Sequence, residues 1–228
     1  MIFGFGKAAL PAAYILAASA CQAPAPPTVH MDFVNVPPIQ RTDVSSAQLG
    51  GYHINTTFSH SRNETFTVGG LTVSELAPVV YTSYEIATNN MTHTSCLSLT
   101  SVNITVRYAP TIFVASEYKE GSCRFGTTLQ HEARHVNTDI ITFNELLPQL
   151  RQAVEDEARK IGAIGPVDPD NIITERDKIS DRLQAALAAK AQEFEHIRFD
   201  RQQMIDTRQE YMRLSQLCAD EPLPVSPP

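Results

Sequence analysis

The hydrophobic period of the chain changes near residue 126. Upstream, apolar and polar residues alternate, as in Val102-Asn103-Ile104-Thr105-Val106-Arg107-Tyr108, which is the period of a half-buried strand. From Thr127 on, Leu129, Val136, Ile140, Phe143, Leu147, Leu150 and Val154 keep helical spacing. Charge follows the same division: residues 21–126 carry 12 charged side chains, residues 127–228 carry 30. A chain of 228 residues, 43% of them apolar, is sized for one globular domain. The expected fold is therefore α+β: an antiparallel β-rich part over 41–126, then a long C-terminal helical hairpin over 127–218, in a single domain.

Candidate strands fall at 28–36, 50–59, 64–68, 81–88, 97–108 and 111–117. Ala109-Pro110 reads as the turn between the last two. Thr72-Val73-Ser74-Glu75 has the form of a capping box, which predicts a short helix over 73–79. Thr127 with Gln130 is a second capping box, opening the first long helix. Gly162 to Pro169 interrupts that helix, and a second helical pattern runs from about Ile172 to Leu217. The Pro-rich tail over 219–228 reads as disordered. The formal charge is -7 and no basic run is present, which argues against a nucleic-acid partner.

Residues 1–20 read as a signal peptide: one positive charge at Lys7, an apolar stretch Ala8 to Ala20, and the small residues Ala18-Ser19-Ala20. Cys21 follows directly, as in a bacterial lipoprotein signal, so lipid attachment at Cys21 is expected. The Pro/Ala-rich stretch 21–40 would then be a linker to the membrane, the only membrane association expected. The location would be the periplasm or the outer membrane, with simple secretion as the alternative. Export makes disulfides plausible. Folding the predicted hairpin about residue 109 brings Cys96 beside Cys123, so that pair is the expected bridge and Cys218 is left free.

His131-Glu132-Ala133-Arg134-His135 is an H-E-x-x-H sequence. Positions i and i+4 differ by about 40° around a helix, so both imidazoles project from one face and can bind one metal ion. Glu132 stands about 100° away, able to act on a water at the metal without ligating it. Zinc suits neutral imidazole and lowers the pKa of such a water toward about 7, so Glu132 is the candidate catalytic base. A third protein ligand is needed. Thr138 and Ile141 stand where one known extension of the motif has Gly and His, and Glu155 lies at the spacing of another. If the two long helices pack antiparallel, position 133 lies opposite 199, where Glu193, His196 and Asp200 share a face. His196 is the chosen third ligand, with Asp200, Glu210 and Glu155 as alternatives. His53, His60 and His93 read as structural or solvated. Tyr108 and Tyr211 are of the type that donates to a transition-state oxyanion, and no spacing places either at the metal.

Over residues 64–218 the chain resembles a bacterial exported domain family, long labelled as of unknown function and grouped with the zincin-like zinc metallopeptidases. The resemblance is carried by Thr65-Phe66-Thr67-Val68-Gly69-Gly70-Leu71-Thr72 leading to Glu75-Leu76, by the strand after Cys96, and by Leu129 to Val136 around the H-E-x-x-H. It implies His131 and His135 as zinc ligands, Glu132 as base, and a peptide or protein substrate. Two features depart from the pattern. Arg134 replaces a common Gly and would narrow the cleft or bind a substrate carboxylate. The segment Ile205 to Tyr211 lacks the His found there in many members. The competing expectation is a non-catalytic binding or scaffold lipoprotein of the cell envelope on the same fold.

Overall fold

The structure, a computed structural model, describes residues 21, 23, 25–52 and 68–221. The signal-peptide segment, most of the 50–59 strand, nearly all of the 64–68 strand, His53 and His60 lie outside these residues.

The molecule is α+β, built on a five-stranded mixed sheet around one very long strand. β4 (Thr94–Val114) carries the alternating pattern through 21 residues, a length of roughly 70 Å. β3 (Gly70–Asn89) pairs with it antiparallel along the whole of one edge, with one register shift at Ser83/Tyr84. Three short strands share the other edge: β5 (Ala163–Val167) runs antiparallel, and β1 (Thr28–Asn35) and β2 (Ile39–Arg41) run parallel to β4. Both edges of β4 are thus hydrogen-bonded, which lets it run through the sheet centre.

Several sequence expectations change here. The part before the helices is mixed, not purely antiparallel, because β1 and β2 reach β4 from far upstream and lie parallel to it. The stretch 21–40 is no free linker, since β1 and most of β2 fall within it. Ala109-Pro110 makes no turn: Pro110 continues the strand opposite Ser74. The 73–79 segment is strand, not helix. Its Thr-x-x-Glu pattern loses to β-branched residues paired with β4, a tertiary override of a local signal.

α2 (Cys123–Ile161) and α3 (Ile172–Gln203) pack as an antiparallel hairpin against the sheet. Val102, Ile104 and Val106 of β4 meet Leu146, Leu150 and Val154 of α2, with Ile179, Leu183 and Leu187 of α3 closing the same core. Helix α2 is capped by Ser122, five residues before the expected cap at Thr127. The Ser122 hydroxyl accepts from the Phe125 N–H at 3.1 Å. The Glu221 carboxylate, distant in sequence, accepts from the N–H groups of Cys123 and Arg124. Both satisfy otherwise orphaned donors of the first turn. Helix α2 continues through Pro148.

The expected single helix over 172–217 is two. α3 ends at Gln203, and α4 (Arg208–Leu217) begins after Thr207, whose hydroxyl accepts from the Glu210 N–H at 3.2 Å. Two disulfides tie Cys21, before β1, and Cys218, after α4, to this frame: Cys21–Cys96 and Cys123–Cys218. The expected Cys96–Cys123 bridge is therefore incorrect. With β4 unbroken, Cys96 sits near its start and Cys123 lies beyond its far end. Cys218 is bonded, and the Cys21 sulfur, committed to a disulfide, is not free to carry a lipid. Among the described residues no helix is long and apolar enough to cross a membrane.

Candidate metal centre

The face of α2 turned toward β3 and α3 carries a buried polar stripe: His131, Glu132, His135 and Asp139. Helical spacing brings His131, His135 and Asp139 into one line. The turn between α3 and α4 brings Asp206 over that line. His131 Nε2 and His135 Nε2 each stand 3.1 Å from Asp206 Oδ1, and 3.2 Å from one another. His131, His135 and Asp206 are all buried, and together they offer three ligand atoms to one point.

Those three separations fit a metal ion. With ligand bonds of about 2.0–2.1 Å, tetrahedral ligands stand about 3.3 Å apart. Protons alone serve the triangle poorly. Two imidazole N–H groups can both donate to Asp206 Oδ1, but they then face each other at 3.2 Å as two donors. A shared cation resolves the conflict, and the residues present fit one.

The surroundings orient each candidate ligand. Tyr211 donates to Asp206 Oδ1 at 2.9 Å, and its ring lies 5.7 Å from that of His131. Burial pushes the Asp206 carboxyl up, but the hydrogen bonds from His131 and His135 outweigh it and hold the group well below the usual carboxylate range. Burial pushes the Tyr211 phenol up, and Asp206 adds to it. His135 Nδ1 is hydrogen-bonded to Gln202 Oε1. Burial acts to lower the His135 pKa, but Asp206 and Glu132 overcome it and leave the ring more basic than usual. His131 Nδ1 is buried without a hydrogen bond, with Glu210 Oε1 3.6 Å away. Glu210 is itself held to about 2, first by Arg213, with Arg134 adding to the effect despite partial desolvation.

Glu132 does not join the triangle. Its Oε2 accepts from the Thr72 hydroxyl at 2.8 Å, and Thr72 also donates to its backbone carbonyl at 3.1 Å. Burial raises its carboxyl pKa, with the two imidazoles opposing. β3 comes close enough here that glycine is required. A Cβ on Gly70 would stand 2.5 Å from Thr128 Cγ2 and 2.6 Å from Glu132 Oε1.

Of the residues singled out in the sequence, His131, Glu132 and His135 are brought together. His196 is not: it is exposed on α3, and Asp206 takes the third position. The α2–α3 register differs from the estimate, since His135 meets Gln202 rather than a residue near 197. Asp200 is exposed, Glu155 lies more than five turns along α2 from His135 in a surface pair with Arg151, and Glu210 borders the site without joining the triangle. Arg134, exposed on α2, is paired with Glu210 at 2.5 Å. Tyr108 belongs to the core and donates to Asp139 at 3.0 Å. Tyr211, singled out in the sequence only by residue type, lies at the site against Asp206, and Asp206 itself was within reach of sequence reasoning. Thr207-Arg208-Gln209-Glu210 is a capping-box pattern, and recognising it would have broken the long helix and put Asp206 in a turn. Comparison of the chain with protein-family models, with curated proteins and with solved structures finds no match in any of the three.

Proposed function

We propose that this chain is an exported zinc-dependent metallopeptidase with a zincin-like H-E-x-x-H helix and Asp206 as its third protein ligand. The observation that supports this most is the buried triangle of His131, His135 and Asp206 beside Glu132. Two nitrogens and one oxygen suit zinc, and three protein ligands are the usual number for a catalytic site. Zinc held there supplies Lewis acidity toward a peptide carbonyl and makes water a better nucleophile near neutral pH.

The chain's own residues do the rest. Glu132, held by Thr72 and made more basic by burial, takes the proton of the attacking water and passes it to the leaving amine nitrogen. Asp206 completes the ligand set and is held in place by Tyr211. Two disulfides fit an oxidising compartment and hence export. The substrate is a peptide or protein.

One observation favours a second reading, a closed metal site in a non-catalytic envelope protein: His131, Glu132, His135 and Asp206 are all 7% exposed or less. Purified protein separates the two. The proposed enzyme binds about one zinc per chain and cleaves unfolded casein. Glu132→Gln then keeps the zinc and loses at least about a hundredfold in turnover. Stoichiometric zinc with no cleavage supports the closed site, and full activity in Glu132→Gln overturns the catalytic assignment.

A further inference from the structure

His135 Nδ1 ends a chain of buried hydrogen bonds that reaches the ligand triangle through His135 alone, on the ring nitrogen turned away from Asp206. Gln202 Nε2 donates to the His135 carbonyl at 3.1 Å and to Asp139 Oδ1 at 2.5 Å. Both partners are acceptors only, so this end of the amide is the NH₂ group, and the oxygen must face His135 Nδ1. Asp139 in turn is fixed from two other elements. Arg198 of α3 donates to both of its oxygens, at 2.7 and 2.9 Å, and Tyr108 of β4 donates at 3.0 Å. Asp139 is 1% exposed and Gln202 is 4% exposed.

An amide oxygen can only accept, so the proton of the neutral ring belongs on Nδ1. The bare lone pair is then on Nε2, which faces Asp206 Oδ1 at 3.1 Å, an oxygen already accepting from Tyr211. In the neutral ring, lone pair against lone pair is unfavourable there unless a metal ion lies between; the metal-free site relieves it only by taking up a second ring proton. We infer that Gln202, locked by Asp139, is a positioning residue that sets the His135 tautomer so that Nε2 is presented to a metal ion. This rests on the reading of the triangle as a metal site. Without Gln202 the preferred tautomer reverses: Nε2 carries the proton and donates to Asp206, and the metal must displace it.

The test compares wild type, Gln202→Leu, and the exchanged pair Gln202→Glu with Asp139→Asn. The exchange keeps an acceptor against Nδ1 and a donor–acceptor link between positions 202 and 139, while giving up the Arg198 Nε contact to position 139 and the contact to the His135 carbonyl. Nitrogen-15 NMR of the metal-free chains at alkaline pH, where the ring is neutral, reads the tautomer directly, and zinc titration reads the affinity. Wild type should show Nδ1–H. Gln202→Leu should shift to Nε2–H and bind zinc about tenfold to a hundredfold more weakly, as outer hydrogen-bond partners of metal ligands typically do. The exchanged pair should recover both. Wild-type Nε2–H, or equal tautomer and zinc affinity in folded Gln202→Leu, overturns the inference. If Gln202→Leu fails to fold, an exchanged pair that folds but lacks the Nδ1–H tautomer does so too. Absence of zinc binding by wild type would instead count against the metal reading, with the tautomer still measured in the metal-free protein.

Discussion

At the scale of single residues, the H-E-x-x-H was legible because its geometry is local: helical spacing alone puts His131 and His135 on one face. Gly70 was not legible as part of the site, because its role is an absence of atoms against Glu132. Gly70→Ala is expected to displace Glu132 and lower turnover by an order of magnitude or more, while zinc binding stays near wild type. Zinc titration beside casein cleavage checks this, and joint loss of both would mean wider damage. The carboxylates make a second expectation. Asp206 is more acidic than usual because the His131 and His135 hydrogen bonds outweigh its burial, and Glu210 is held to about 2, chiefly by Arg213. Folding therefore favours their ionised forms. The stabilisation is complete above the ordinary carboxylate pKa of about 4 and is lost as pH falls through the folded values. The Tm of metal-free protein should decline steadily from about pH 4 downward. A Tm unchanged between pH 5 and 2 would contradict the geometry around Asp206.

At the scale of elements, the decisive feature is the break between α3 and α4. No Pro or Gly marks it, so apolar spacing runs smoothly across Met204 and Met212 and reads as one helix. The marker is the Thr207 cap, and the turn it creates buries Ile205 and Asp206 while leaving Met204 outside. Thr207→Ala should cost about 1 kcal/mol of stability and weaken zinc binding, since the same turn carries Asp206. Denaturant unfolding and zinc titration check the two effects. The far end of α4 is pinned by Cys123–Cys218 to the first turn of α2, where Glu221 also caps. Removing this bridge with the pair Cys123→Ala and Cys218→Ala should lower stability by about 2–5 kcal/mol and weaken zinc binding. Unchanged zinc affinity in the folded variant would show that α4 needs no clamp to hold Asp206.

At the scale of the whole molecule, the α+β class and the helical hairpin were readable from the change of period near residue 126. The sheet's connectivity was not. Which strands meet β4, and in which direction, depends on β1 and β2 arriving from residues 28–41 and on β5 returning from the helical hairpin. No local pattern records such distant pairings. The same blindness misassigned the cysteines: a turn inferred at Ala109-Pro110 paired Cys96 with Cys123, whereas an unbroken β4 keeps those residues at opposite ends. Long-range geometry likewise decides the third member of the triangle, which arrives from 71 residues beyond His135. The most direct measurement is therefore the zinc content of purified wild type, Asp206→Ala and His196→Ala. Wild type and His196→Ala should each hold about one zinc per chain, and Asp206→Ala should hold almost none. Stoichiometric zinc in Asp206→Ala, or its loss in His196→Ala, would contradict the site.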